Sequence, residues 1–430
     1  MLSARNRELL GLVPAALLVT AGFAAIFIQA SNRLSGVSLT YGAIFLALCL
    51  AGHLVVRRAL PYADPYLFPL AAVLSSVGIV EIYRIDPTLA RDQAQWLVLG
   101  LLLFAITIVA YREGRYLRLE NYRYLIGIAG VISLVLPRLP GIGEQLNGIY
   151  LEIHIGSITF QPAEFGKIAI VIFLASYLRD NRQVLVTAGR RVLGLTIPPM
   201  KQFGPLLLVW GSAMAMLLLT REIGTSLMFF GAFLALLYVA TGRLSFPLVG
   251  LVLFALGAYY LGTHVAHIHE RVLAWEHPFS KALYDSPDGS FQLANSLFAQ
   301  ADGGLLGVGF DRSILGTLLP VADSDSIYAV IVNEVGLVGA IGLLVAYLLF
   351  VARGLKIATL ARDSFSKLLA TGLSFIIALQ VFVIVGGVTD VIPLTGVTLP
   401  FVAYGGSSVV MNFVLLALLL VVSDRARRPS

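Results

Sequence analysis

Apolar runs of about twenty residues recur from one end of the chain to the other, and no ordinary soluble fold accommodates that pattern. A helix needs roughly 20 mostly apolar residues to cross the hydrocarbon core of a bilayer. Twelve such runs can be drawn, at 10–28, 40–56, 66–83, 95–111, 123–138, 161–178, 204–220, 223–241, 246–263, 326–352, 368–388 and 405–422. Only 13% of the 430 residues are charged, about half the share in an average soluble domain. The ten-residue alternation of an outer-membrane barrel is absent. The expected fold class is therefore all-α, a polytopic membrane protein of about twelve transmembrane helices. The single Cys49 excludes an intramolecular disulfide framework and a thiolate cluster.

The net charge of +6 does not point to nucleic acid, because basic residues in such proteins mark the cytoplasmic loops. With the N-terminus placed in the cytoplasm, 21 of the 30 Lys and Arg residues fall on that side and 8 on the other, with Lys167 inside a span. Both termini are then expected in the cytoplasm. A polar segment at 264–325, too long for an ordinary connection, is expected outside. The connection Pro137 to Phe160, the turn Arg221-Glu222-Ile223-Gly224-Thr225 and the stretch Thr389 to Tyr404 share that face. No internal repeat is visible, which weighs against an inverted-repeat transporter.

Several stretches carry chemistry. Gln161-Pro162-Ala163-Glu164-Phe165-Gly166-Lys167 opens the sixth span and sets Glu164 and Lys167 three residues apart, on one helix face. Ionisable groups within a span face a bundle interior or a polar cavity, so the pair either locks the bundle or lines a groove. The long loop ends in Leu319-Pro320-Val321-Ala322-Asp323-Ser324-Asp325-Ser326, followed by an apolar helix carrying Asn333-Glu334-Val335-Gly336-Leu337. By position alone, Asp325 reads as a helix N-cap or as a carboxylate at a catalytic mouth. Glu334 is out of helical phase with it. His264, His267, His269 and His277 lack zinc-ligand spacing and read as solvated interfacial residues. Arg271, near the membrane surface with Trp275 close by, can clamp a phosphate. Gly303-Gly304-Leu305-Leu306-Gly307-Val308-Gly309 is no P-loop, lacking Gly-Lys-Ser/Thr, and reads as a flexible loop. Thr395 to Ser408 suggests irregular backbone at membrane depth, tolerated only against protein or a cavity.

Four blocks, in order, carry a resemblance: Gln161 to Lys167, Phe291-Gln292 through Ser296 to Gly303-Gly304, Leu319 to Leu337, and Pro393 to Ser408. With them the chain resembles the SEDS family (shape, elongation, division and sporulation) of RodA, FtsW and SpoVE proteins. The resemblance implies a ten-helix core over 66–430 and a two-helix extension at 1–65, as in actinobacterial members, in the bacterial cytoplasmic membrane. It implies an inverting peptidoglycan glycosyltransferase that polymerises lipid II outside that membrane, for cell elongation or division. A lipid II flippase, open to both faces, is the alternative. Asp325 would be catalytic, and Arg271, Glu164, Lys167, Gln292, Ser296, Ser407 and Ser408 would bind substrate. Implied partners are lipid II, undecaprenyl pyrophosphate, membrane lipid and a class B penicillin-binding protein, with no nucleic acid. A divalent cation, Mg or Mn, is compatible with the pyrophosphate; no metal ligand is assigned and no organic cofactor is expected. The chain departs from the family pattern at Glu152, Glu222, Ser326 and Asn333.

Overall fold

The computed structural model describes residues 3–31, 36–139, 142–143, 152–155, 158–187, 190–192, 195–197, 204, 211, 223–286, 289–310 and 319–429. Its helices are α1 (Ala4–Gly11), α2 (Val13–Ser31), α3 (Gly36–Ala59), α4 (Leu67–Ile85), α5 (Pro87–Tyr111), α6 (Arg123–Val135), α7 (Pro162–Thr187), α8 (Ile223–Thr241), α9 (Ser245–His264), α10 (Ala266–Glu276), α11 (Lys281–Tyr284), α12 (Phe291–Gly303), α13 (Ile327–Leu360), α14 (Ser364–Val388) and α15 (Gly406–Arg427). Two short antiparallel hairpins, Ile153–Ile155 with Ile158–Phe160 and Arg190–Val192 with Leu195–Ile197, are the described strands.

Among the described residues, nine helical stretches are long and apolar enough to cross a membrane, so the chain is a polytopic helical membrane protein. The expected seventh span at 204–220 apart from residues 204 and 211, Arg221-Glu222, residues 140–141, 144–151 and 156–157 of the fifth connection, and the His267 side chain lie outside the described residues.

Helices α13, α14 and α15 form the centre. α15 lies along α5, α13 along α14, and α7 packs on α6, α8 and α14, while α2 and α3 lean on α4 and α5. α14 and α15 are apolar almost all round because they are enclosed almost all round. α5, α9 and the far half of α13 instead expose Leu, Val and Phe side chains, as lipid-facing surfaces do.

One end of the bundle is tied by basic residues. Arg427 and Arg353 converge on Asp64, Arg425 Nη1 donates to Asp363 at 2.8 Å, Arg123 pairs with Asp180 and Arg179 with Glu120. Arg5 pairs with Glu8, whose other oxygen meets His53 Nδ1 at 2.8 Å, and Arg5 also donates to the Ala63 carbonyl. The opposite end gathers the starts of α5, α7, α8, α13 and α15 and the ends of α4 and α14.

At that second end the sequence expectation of a continuous tenth span is corrected. α13 breaks at Gly336, at φ +70°. In an unbroken helix Leu337 N and Val338 N would donate to the carbonyls of Asn333 and Glu334. They donate instead to Gly304 O at 3.0 Å and Leu305 O at 3.2 Å. The two freed carbonyls accept from Val308 N at 2.9 Å and Gly309 N at 3.0 Å. The glycine-rich stretch, expected as a flexible loop, is the partner that makes the break tolerable where water cannot satisfy backbone groups. Only glycine allows it: a Cβ on Gly307 would stand 2.1 Å from Glu334 O, and one on Gly336 would stand 2.4 Å from Gly307 N. Beside the break, Glu334 pairs with Arg84 of α4 at 2.7 Å, and Arg84 also approaches Glu81 at 4.0 Å. All three side chains are buried, so they join α4 to α13 away from solvent.

Gly336→Ala places a side chain at positive φ and against backbone. Thermal unfolding of the detergent-solubilised protein is expected to show a loss of about 2 kcal/mol or more; an unchanged melting curve would contradict the packing described.

Candidate active site

The turn that feeds α13 is short and strained. Ser324 N and Ser326 N both donate to Val321 O, at 3.1 and 3.2 Å, and Val321 itself sits at φ +52°. A β-branched residue rarely adopts that conformation; it costs on the order of 1–3 kcal/mol, and such strain clusters at functional sites. The turn is held from outside by Gln292 Nε2 of α12, which donates to Ser326 Oγ at 3.0 Å, while Ser326 Oγ donates to Pro320 O at 3.2 Å. Tyr404 N donates to Asp323 O at 2.8 Å. Ser326 is the N-cap of α13, and no side chain caps its first turn. Asp325, one residue earlier, is therefore not the helix cap that its position allowed.

Freed from capping, the Asp325 carboxylate faces the 389–405 stretch. Its Oδ2 lies 3.4 Å from where a Cβ on Gly396 would be, and Gly396 adopts φ +70°. Arg271 of α10 stands on the same side: its Nη1 donates to Leu394 O at 3.5 Å, and its charge acts on Asp325. Burial pushes the Asp325 carboxyl up to about 6, Arg271 opposes that rise, and Asp323 adds to it. Asp323 is itself raised, by burial first and then by nearby Asp86. A carboxylate that titrates near 6 is deprotonated at neutral pH and still basic enough to accept a proton.

The 389–405 stretch is irregular, as its glycines and prolines suggested, and its polar backbone is satisfied by side chains from around the bundle. Trp275 Nε1 donates to Asp390 O at 3.0 Å, Tyr347 OH to Pro400 O at 2.5 Å and Gln93 Nε2 to Ala403 O at 3.1 Å. Gln300 Nε2 donates to Val388 O at 2.6 Å, just before it.

Behind the stretch lies the ion pair. Lys167 Nζ sits 2.6 Å from Glu164 Oε2 and donates to Gln380 Oε1 at 3.0 Å; Gln380 Nε2 donates to Thr398 O at 2.7 Å. Thr398 Oγ1 donates to Ser408 Oγ at 3.0 Å. Glu164 and Lys167 are 4% and 3% exposed, so the groove-lining expectation gives way to a buried pair that reaches the site through the loop it supports.

The expected site residues thus divide into two groups. Asp325 and Arg271 lie on the same side of the 389–405 stretch, where the charge of one acts on the other, with Gln292 bracing the turn. Glu164, Lys167 and Ser408 form the layer beneath. Ser296, expected to touch substrate, is buried and donates to Gln292 O at 2.8 Å; Ser407 is buried and accepts from Gln161 N at 2.9 Å. Both hydroxyls serve the backbone. Gln380, Gln93 and Tyr347 were not anticipated, because an isolated polar residue in an apolar helix gives no local signal of its partner. The exposed histidines His264 and His269 bond locally, to Tyr260 O and Gly262 O. No three His, Cys, Asp or Glu side chains gather as a metal cage among the described residues.

A bundle of membrane-crossing helices with a carboxylate and a guanidinium at one mouth defines an integral membrane protein that can do acid–base chemistry at the bilayer surface. The profile of the Cell cycle protein family, covering FtsW, RodA and SpoVE, matches residues 63–428, and the chain belongs to that family. It is similar to the peptidoglycan glycosyltransferase RodA of Mycobacterium tuberculosis, at 38% identity over 99% of this chain and 92% of that protein. It is similar also to the stage V sporulation protein E of Bacillus subtilis, at 30% identity over 83% of this chain and 93% of that one. Among solved structures, a chain of a peptidoglycan synthase complex that coordinates polymerization and crosslinking superposes with a TM-score of 0.68 at 26% identity, covering 85% of this chain and 99% of that one. The rod shape determining protein RodA of Thermus thermophilus, with one aspartate replaced by alanine, superposes with a TM-score of 0.61 at 25% identity, covering 86% and 99%.

Arg271→Gln removes the charge that opposes protonation of Asp325. Carbodiimide labels the protonated carboxyl, so mass spectrometry of Asp325 across pH is expected to show the half-labelling point rising from about 6, by roughly one unit or more. No movement would mean that Arg271 does not act on this carboxylate.

Proposed function

We propose that this protein is a peptidoglycan glycosyltransferase of the bacterial cytoplasmic membrane that joins lipid II molecules into glycan strands at the outer face. The observation that carries the reading is Asp325, desolvated beside Arg271 at the end of the bundle away from the basic knots. By the positive-inside rule the knotted end is cytoplasmic, so the Asp325 end faces the side where lipid-linked sugars are polymerised and nucleotide sugars are absent. The named relatives support the reaction class.

In this reading Asp325 accepts the proton of the acceptor GlcNAc 4-hydroxyl. The oxygen forms a bond to the donor MurNAc anomeric carbon as the bond to undecaprenyl pyrophosphate breaks, with inversion. The electron pair of the broken bond leaves with the pyrophosphate, whose charge Arg271 stabilises. The buried Glu164–Lys167 pair acts through the loop above it. A Mg or Mn ion in this proposal is one carried by the substrate pyrophosphate, and no step is routed through it. The partner proposed is a class B penicillin-binding protein, in keeping with the synthase complex that this chain resembles.

Asp325→Asn keeps the shape and removes the base. In the purified protein with its transpeptidase partner, gel analysis of labelled lipid II is expected to show polymerisation falling roughly 10²- to 10⁴-fold. A wild-type rate would remove the assignment, and transfer of labelled lipid II across liposomes without polymer would favour a flippase. In the unaltered protein, kcat/KM is expected to fall about tenfold per pH unit below about 6, because the base must be unprotonated. A rate flat down to pH 4.5 would contradict that role.

A further inference from the structure

Gln380 is fully buried in α14, more than fifty residues along the chain from Asp325, and the reaction proposed above assigns it no role of its own. Its two amide ends are nevertheless both committed. Lys167 Nζ can only donate, so the Gln380 oxygen must face it, and the Gln380 nitrogen is thereby turned toward the Thr398 carbonyl, 2.7 Å away. Glu164 fixes Lys167 from the other side. A chain of charge and hydrogen bonds therefore runs from the first turn of α7, through α14, into the loop.

The loop passes the restraint forward over two residues. Gly396 lies beside Asp325, whose Oδ2 would stand 3.4 Å from a Cβ added there. On its far side Leu394 O accepts from Arg271. At the start of α8, Gly224 is so close to Thr395 and Val397 that a Cβ there would stand 2.2 Å from Val397 Cγ2. The stretch from Leu394 to Thr398 is thus held at the back by Gln380 and at the side by α8, and it presses on the carboxylate and guanidinium in front.

We propose that Gln380 is a positioning residue for glycosyl transfer: held by Lys167, it anchors the Thr398 backbone so that Gly396 covers Asp325 and Leu394 holds Arg271 beside it. The proposal rests on the reading of Asp325 as the base. The groups facing Asp325 are Arg271 from α10 and Asp323 from its own turn, with Asp86 acting on Asp323 in turn. Gln380 bears no charge and acts only by keeping the cover in place.

Gln380→Glu separates the two links. The carboxylate still accepts from Lys167, but it presents a second acceptor to the Thr398 carbonyl, which cannot donate. Gln380→Met conserves volume and removes both links. Each variant is assayed with the transpeptidase partner for lipid II polymerisation, and Asp325 is labelled with carbodiimide across pH. With the loop loosened, the half-buried carboxylate becomes more hydrated, and its half-labelling point is expected to fall below about 6 toward the ordinary carboxylate range. kcat is expected to drop roughly tenfold or more, with KM for lipid II changed less than about twofold. If both variants fold, melt as the unaltered protein does and keep its kcat and labelling curve, the proposal is overturned. Loss of folded protein in proportion to lost activity, with the curve unmoved, overturns it equally, since that is a structural role alone. If Asp325→Asn polymerises at the wild-type rate, the assigned base is wrong, while the labelling curves still decide whether Gln380 controls the cover over Asp325.

Discussion

Irregular backbone at the end of a membrane bundle must find hydrogen-bond partners within the protein, and the 389–405 stretch depends on that constraint being met. Each unsatisfied amide or carbonyl in such a setting costs several kcal/mol. Here the carbonyls of Asp390, Leu394, Thr398, Pro400 and Ala403 accept from Trp275, Arg271, Gln380, Tyr347 and Gln93. These donors come from α10, α14, α13 and α5. The stretch is therefore where four separate helices are tied to one geometry, and Asp325 lies beside its middle.

The same logic explains the broken α13. A continuous helix would satisfy its own amides and need nothing from its neighbours. By breaking at Gly336 and exchanging bonds with residues 304–309, α13 ties the long polar segment to the bundle. The helix α12 that precedes this glycine stretch also supplies Gln292 to the Ser326 turn and Gln300 to Val388 O. Two backbone departures, at Gly336 and Gly396, thus place the parts around one carboxylate. Electrostatics then set its character: desolvation raises the Asp325 pKa, and Arg271 limits the rise, leaving the group poised between an inert acid and an inert base at neutral pH.

The sequence announced much of this. Run length and loop charge were enough for the helical membrane class, because burial in lipid imposes a continuous apolar pattern that little else produces. The polar re-entry at Asp325 and the glycine-rich, proline-bearing 395–408 stretch were visible for the same reason: each violates that pattern. Glu164 and Lys167 were legible as a pair from their spacing, but that spacing does not decide whether the pair locks the bundle or lines a groove, since the partner of Lys167, Gln380, lies more than two hundred residues away. The pairing of 304–309 with the break in α13 was hidden as well. A glycine permits a break without demanding one, and the partner strand of backbone carries no side-chain signature. Ser296 and Ser407 were expected as substrate contacts from the family resemblance, which carries a residue's position but not its hydrogen-bond partner, here Gln292 O and Gln161 N.

The central claim is that Asp325 takes the proton from a lipid-borne sugar at the outer mouth of the bundle. A cryo-electron-microscopy structure of the protein with its transpeptidase partner and bound lipid II tests it most directly. The account predicts the acceptor GlcNAc 4-hydroxyl within hydrogen-bond reach of the Asp325 carboxylate, roughly 3 Å, and the pyrophosphate toward Arg271. Sugars seated at the basic end of the bundle, or separated from Asp325 by the full thickness of the 389–405 stretch, would contradict it.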